Sequence, residues 1–222
     1  MLIVTVLKQS KEYQPVHAQW LHRQIQHYDS LCLTDSHDIS GVTTAPLMHS
    51  FPSWWSKLEA FNPSHPILGA EDILLLDIDT VIIGDLEPFL QQKSFTTLTD
   101  FYYENSPHRP IGSAVMFIPH EIKDRVWNIF IRNPEKWINA GKMPPWHGDQ
   151  GFLSSYTNPD RWQDILPGNI ISYKKDIASK GMLGWNRGHS VGNGDVPFGA
   201  RLVCFHGNPR PWEMNLEWVP QL

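Results

Sequence analysis

Cysteine is nearly absent: Cys32 and Cys204 are the only two thiols, far apart and in no metal-ligand spacing. That excludes a disulfide scaffold and a cysteine-built zinc site, and makes a reduced, cytoplasmic protein the simple expectation. No apolar run approaches the ~20 residues that a membrane-spanning helix needs, so no transmembrane segment is expected. The chain opens on Met1-Leu2-Ile3-Val4 with no basic stretch ahead of a long apolar one, which is not the pattern of a secretory signal. Runs of Lys and Arg are missing too, and the formal net charge is −5, so a nucleic-acid surface is not expected. A mildly acidic chain that binds an anionic ligand needs local compensation, from a bound cation or from a few placed Lys and Arg.

What is present is a globular composition. Hydrophobic residues make up 41% and charged residues 18% of 222 positions, which points to one α/β domain with embellishments rather than a disordered chain. The ten Trp are numerous enough that some are candidates to face a groove. A buried indole needs a partner for its N–H, although packing is the simpler use of most of them.

Hydrophobic patterning supports an open sheet. Leu2 to Leu7 is an apolar run broken only by Thr5, the mark of a buried parallel strand. Val16, Trp20, Leu21, Ile25 and Tyr28 recur at helical spacing over 13–29. Leu31 to Thr34 then reads as a second strand, giving the strand–helix–strand start of an α/β sheet. Residues 35–53 read as loop and Trp54 to Phe61 as helix, stopped by Asn62-Pro63. Ile73 to Asp77 has the clearest buried-strand pattern. Val81 to Gly84 reads as extended, and Asp85 as the start of a short helix through Leu90. Phe95 to Thr99 and Ser113 to Ile118 are further strands, and Pro119 to Ile131 and Asp149 to Tyr156 are helices. Six glycines between Gly181 and Gly199 mark a loop, before a last strand at Leu202 to Phe205.

The central motif is Leu74-Leu75-Leu76-Asp77-Ile78-Asp79-Thr80. On an extended segment, Asp77 and Asp79 point to the same face. Two carboxylates about 6 Å apart repel by ~3 kcal/mol at an effective dielectric near 20. A divalent cation is the obvious offset, and oxygen ligands suit Mg²⁺ or Mn²⁺, which bridge in turn to phosphates. The carboxyl end of a strand is also where open α/β sheets bind ligands. The second motif is Cys204-Phe205-His206-Gly207-Asn208-Pro209-Arg210-Pro211-Trp212. There His206 can supply a nitrogen ligand, Arg210 a phosphate-facing cation and Gly207 a close backbone approach; the alternative is a solvated C-terminal turn.

Together these pieces resemble the GT-A glycosyltransferases, which use nucleotide-sugars, and among them glycosyltransferase family 8, the glycogenin and bacterial galactosyltransferase group. Val4-Thr5-Val6 followed by Tyr13 is similar to its first strand and uridine loop, and Ser56-Lys57-Leu58 followed by Phe61 to its Lys-Leu helix. Leu76 to Thr80, with Asp85-Leu86 after it, is similar to its acidic core. Ser113 to Met116, Asp149-Gln150, and His206 through Trp212 follow in the family's order. The chain departs from the pattern where Gly112 replaces Asn and Ala114 replaces Gly. His206 also lies two residues closer to the Pro-Trp pair, and Arg210 replaces Lys, a planar fork in place of a point charge.

The resemblance implies a GT-A fold with an open, mixed, mostly parallel sheet flanked by helices. Residues 1–100 would be the nucleotide-binding half and 101–222 the sugar and acceptor half. It implies a UDP-sugar donor, Mn²⁺ or Mg²⁺ as cofactor, retention of anomeric configuration, and a saccharide, lipid-linked glycan or protein as acceptor. Asp77, Asp79 and His206 would hold the metal, with Asp77 also at the ribose and Ile78 and Gly207 beside the nucleotide. Thr5 and Tyr13 would lie near the uracil. Lys57 and Arg210 would meet phosphate or sugar oxygens, and Asp149 and Gln150 would sit by the transferred sugar. A cation and placed basic groups at the diphosphate would stabilise the leaving group.

Trp54, Trp55 and Trp146 are candidates to stack on sugar rings, with packing the simpler use of the first two. His147 is a candidate ligand or a surface residue, and Asp100 is a candidate to line the sugar site or cap a turn. Three rivals stand beside the transferase. A phosphatase of the haloacid-dehalogenase type would use Asp77 as nucleophile and Asp79 as acid/base. A carbohydrate-binding module has only the Trp count behind it. An inactive glycosyltransferase-like protein would follow from the altered pocket positions.

Overall fold

A computed structural model of the chain describes residues 1–142 and 148–222. Among these residues the main sheet has seven strands: β1 (Leu2–Leu7), β2 (Ser30–Thr34), β3 (Thr44–Pro46), β4 (Ile73–Leu76), β6 (Thr96–Thr99), β7 (Ile111–Ile118) and β8 (Asp160–Arg161), in the spatial order β3-β2-β1-β4-β7-β6-β8. The first four are mutually parallel, and β7 runs antiparallel to both β4 and β6. A second, three-stranded sheet holds β5 (Thr80–Ile82), β9 (Ile170–Ser172) and β10 (Leu202–Cys204), with β10 in the middle. The α-helices are α1 (Pro15–Gln24), α2 (Glu87–Leu90), α3 (His120–Ile131), α4 (Pro134–Ala140), α5 (Gly148–Tyr156) and α6 (Trp162–Ile165).

The continuous apolar runs are explained by burial on both faces. Leu74 and Leu76 of β4, with Val115 and Phe117 of β7, pack on one side. They meet Ile3 of β1 and Trp20 and Leu21 of α1 there. Ile73 and Leu75, with Met116 and Ile118, pack on the other. Their partners are Leu58 and Phe61 of a 3₁₀ helix (Ser53–Phe61), Phe130 of α3 and Phe152 of α5. The period of two along β4 therefore continues toward the 3₁₀ helix and α5 at Asp77, the next residue on the second face.

Several elements differ from the sequence expectation. The first helix is shorter, starting on Pro15 and ending at Gln24, because the proline sets its first turn and polar residues follow Ile25. The Trp54–Phe61 segment is 3₁₀ rather than α. Strand β3 lies where loop was expected, and β8, α6, β9 and a π-helical turn (Tyr173–Ile177) lie in the stretch after Pro159, expected to be irregular; helix α4 lies where no element was assigned. These pieces are too short to carry a legible period. Trp55 is in the core, stacked on Phe130, whereas Trp54 is exposed. Trp146 and His147 lie outside the described residues. Among those residues no helix is long and apolar enough to cross a membrane.

His22 links α1 to the sheet. Its Nε2 lies 2.9 Å from the Thr5 hydroxyl and its Nδ1 3.1 Å from Ser30. Burial lowers its pKa from 6.5 to about 4. The unfolded chain therefore binds this proton more readily. The stability His22 contributes is full above pH 6.5 and is lost as pH falls toward 4. His22→Gln is expected to narrow the difference in unfolding free energy between about pH 7 and about pH 4.5 by ~2 kcal/mol, read by urea titration. An unchanged difference would mean that the imidazole is not held neutral by the fold.

Candidate active site

The acidic motif is not an extended segment. Strand β4 stops at Leu76, and Asp77-Ile78-Asp79 forms a turn closed by Thr80 N–H donating to the Asp77 carbonyl at 3.2 Å. Asp77 N–H still donates to Ala114 of β7 at 2.8 Å, which pins the start of the turn. The two carboxylates meet different basic partners, Lys57 for Asp77 and Arg210 for Asp79. The extended segment expected across the motif is not formed, because the strand stops at Leu76, before either carboxylate.

Asp77 joins a cluster around Lys57. The Lys57 ammonium donates to both Asp77 oxygens, at 2.9 and 3.2 Å, and to the Ser113 hydroxyl at 3.0 Å. It lies 3.6 Å from an Asp149 oxygen. Three elements on one face of the sheet supply this cluster: the 3₁₀ helix gives Lys57, β7 gives Ser113, and the first turn of α5 gives Asp149. The N-terminal end of a helix favours that carboxylate. Burial pulls the Lys57 pKa down, but Asp149, Asp77 and Asp79 outweigh it and hold the amine charged. Burial pushes the Asp149 carboxyl up, against the opposing pull of Lys57. Gln150 follows, half-buried, in the same turn of α5.

Asp79 joins a second cluster. One of its oxygens accepts from the Tyr13 hydroxyl at 3.0 Å and from Nη1 of Arg210. The other arm of the guanidinium reaches Glu12 at 2.7 Å, and its carbon lies 4.7 Å from the centre of the Tyr13 ring. Trp212 meets the Tyr13 ring edge-on at 6.1 Å and stacks on His17 at 4.0 Å. Burial, then the Asp77 charge, push the Asp79 carboxyl up to about 6 against Arg210. Burial and Asp79 likewise raise the Tyr13 phenol, which stays protonated and donating.

His206 sits apart from both carboxylates in its bonding. Its Nε2 is 2.6 Å from the Ser172 hydroxyl, and its ring stacks on Phe101 with Tyr102 edge-on. Burial, then Lys174, lower its pKa to about 4. The loop that carries it is tied to the acidic turn through Phe205 N–H and the Asp79 carbonyl, 3.3 Å apart. Gly207 has φ +80°, a left-handed turn that suits glycine, and Lys174 caps the His206 carbonyl at 2.7 Å.

The other expected positions divide. Ile78 is buried with Leu7, Ala18 and Cys32 and holds the turn rather than presenting a side chain. Thr5 is fully buried on the α1 face of β1, opposite to Asp77, with its hydroxyl on His22. Strand alternation decides that placement, so Thr5 offers no side chain to a nucleobase. Glu12, Ser113, His17 and Trp212 take part in the site, although nothing in the sequence marks them individually as site residues. Only Ser113 and Trp212 carry any signal there, as members of motifs whose neighbours stand out.

The expected metal set does not assemble around these contacts. Among the described residues no three His, Cys, Asp or Glu side chains group around one cation position. Each expected ligand already has a protein partner: Lys57 for Asp77, Arg210 and Tyr13 for Asp79, Ser172 for His206. The residues as arranged do not fit a shared divalent ion.

No protein-family model matches the chain, and no curated protein matches it by sequence. Solved structures do match. The chain has a GT-A type glycosyltransferase fold, with the mixed sheet and flanking helices expected of it. An active-site mutant of LgtC aligns over 97% of this chain and 90% of that one, with a TM-score of 0.61 and 12% identity. The galactosyltransferase LgtC in complex with donor and acceptor sugar analogues aligns over the same shares, at 0.59 and 14%. WbbM, a bifunctional glycosyltransferase, aligns over 95% of this chain and 46% of its own length, at 0.55 and 11%. At these identities the likeness is one of fold.

Lys57 is the only basic group bonded to Asp77 among the described residues. Lys57→Met is expected to destabilise the protein by about 3 kcal/mol, since it leaves the buried Asp149 and the half-buried Asp77 without their shared cation. Adding Asp149→Asn should recover part of that loss. Strictly additive effects in a chemical-denaturation double-mutant cycle would show that the two residues do not interact.

Proposed function

We propose that the chain is a glycosyltransferase that takes a hexose from a nucleotide-sugar and passes it to an acceptor. The carrying observation is the pair of clusters at the carboxyl end of β4, in a fold shared with LgtC. In open α/β sheets that edge is the ligand-binding edge. The resemblance favours a UDP-linked donor and retention of configuration. On this reading residues 1–100 bind the nucleotide, and residues 101–222 bind the sugar and the acceptor.

Each residue then has a chemical task. Breaking the bond between sugar and diphosphate builds negative charge on the leaving group. Lys57 and Arg210 are preorganised cations beside the acidic turn, and such fixed charges stabilise a transition state more than free ones. On this reading Asp77 orients Lys57 and shares an oxygen with a ribose hydroxyl. Tyr13 and Trp212 frame the nucleoside end. Asp149, or the amide oxygen of Gln150, faces the positive charge that develops on the sugar ring. Ser113 fixes the rotamer of Lys57, as a supporting group should.

The phosphatase reading draws no support from the fold, which aligns with LgtC over nearly the whole chain. A binding module without catalysis has no use for three buried charged groups at a strand end.

The test is a panel of nucleotide-sugars followed by thermal shift and by NMR of the anomeric signal. A UDP-hexose is expected to raise the melting temperature, because ligand that binds only the folded state stabilises it by mass action. Hydrolysis or transfer is expected to keep the anomeric configuration. Asp149→Asn is expected to lower turnover by about 100-fold, with donor affinity changed far less, since its charge acts on the transition state. A chain that binds no nucleotide-sugar but turns over p-nitrophenyl phosphate would overturn the proposal. A chain that binds donor and shows no turnover with saccharide, lipid-linked or protein acceptors would be the inactive relative.

A further inference from the structure

The fold positions an acidic turn for a cation, yet the cation beside Asp79 belongs to the chain. We propose that Arg210 holds the place on Asp79 that a divalent ion would take, so that the nucleoside diphosphate is bound without a metal. The inference rests on the nucleotide-sugar reading above and narrows it.

Every side chain that such an ion would need is already engaged. One Asp79 oxygen accepts from both Tyr13 and Arg210. Both Asp77 oxygens accept from Lys57, and the His206 Nε2 is taken by Ser172, with the ring clamped against Phe101. A metal would have to displace Lys57, Arg210, Tyr13 and Ser172 to gather these groups.

Arg210 is also hard to displace. Its side chain is 11% exposed, paired at one arm with Asp79 and at the other with Glu12, and laid over the Tyr13 ring. Its backbone N–H donates to Glu213 at 2.8 Å, which fixes the loop at the residue itself. A guanidinium does not lose its proton in a protein, so the charge is permanent, as an ion's would be. A lysine at this position would offer a single ammonium in place of the two-armed fork that spans Asp79 and Glu12.

One donor is left over. The Arg210 Nε–H is buried and has no acceptor among the described residues. A buried unpaired donor in a charged group is costly unless a ligand oxygen completes it. A diphosphate oxygen is the acceptor that the chemistry of this site favours.

The experiment has two arms on the full chain. In the first, Mn²⁺ alone is titrated and followed by its electron paramagnetic resonance signal, which bound ion loses. The expected result is an undiminished signal. In the second, UDP binding is measured calorimetrically in EDTA and in excess Mn²⁺. Affinities within about threefold of each other are expected. Arg210→Ala is expected to weaken UDP binding in EDTA at least ~10-fold, and Arg210→Lys to weaken it less, with circular dichroism confirming that both fold. Uptake of Mn²⁺ by the unaltered chain, UDP binding that EDTA abolishes, or full affinity in Arg210→Ala would each overturn the proposal. Absence of UDP binding in both buffers would sink the donor reading beneath it. The Mn²⁺ arm tells the two failures apart, since it needs no nucleotide.

Discussion

The ammonium of Lys57 is the interaction on which the site depends. A strand buried on both faces ends in a carboxylate, and α5 brings a second one, Asp149, to the same place. Like charges in a poorly solvated environment force each other to take up protons or move apart. Lys57 removes that choice by lying within hydrogen-bond reach of Asp77 and Ser113 and close to Asp149. The same contact ties the 3₁₀ helix, β4, β7 and α5 into one unit. The charge arrangement and the packing of that face are therefore not separable.

The second basic group solves the matching problem on the other side of the turn. Because Asp77-Ile78-Asp79 bends instead of running straight, Asp79 is delivered to Tyr13 and Arg210 rather than to Lys57. Ile78, between them, is the apolar peg that holds the bend in the small core with Leu7 and Cys32. One acidic motif thus feeds two ion-paired clusters. An anionic ligand at this edge meets fixed dipoles and cations whose geometry is set in advance, the arrangement that makes electrostatic catalysis effective.

Much of this is legible in the order of residues. The apolar runs at Leu2–Leu7 and Ile73–Leu76 and the helical spacing around Trp20 and Leu21 locate β1, β4 and α1, because long periodic segments follow the side on which they are buried. The order of motifs points to the GT-A fold. Lys57, Asp77 and Asp149, separated widely in sequence, each stand out in a motif, and the fold brings them together. Thr5 is different: a strand's apolar pattern reports that the strand is buried, not which helix covers which face, so its turn toward His22 is invisible in the pattern. The short strands β3 and β9, and the Glu12 partner of Arg210, leave no trace, since two or three residues carry no period and an ion pair 198 positions apart carries no local signal.

The order of residues establishes which side chains bear charge at a buried strand end, and that some compensation is needed for them, since carboxylates cannot share such a place unaided. It also determines the alternation along β4, though not which elements cover either face. What the compensation is follows from the folded arrangement alone: Lys57 for Asp77 and Arg210 for Asp79. Whether a carboxylate faces an ion, an ammonium or a guanidinium depends on ångström-scale approach between loops far apart along the chain. Coulomb energy falls off with that distance, which no spacing of letters records.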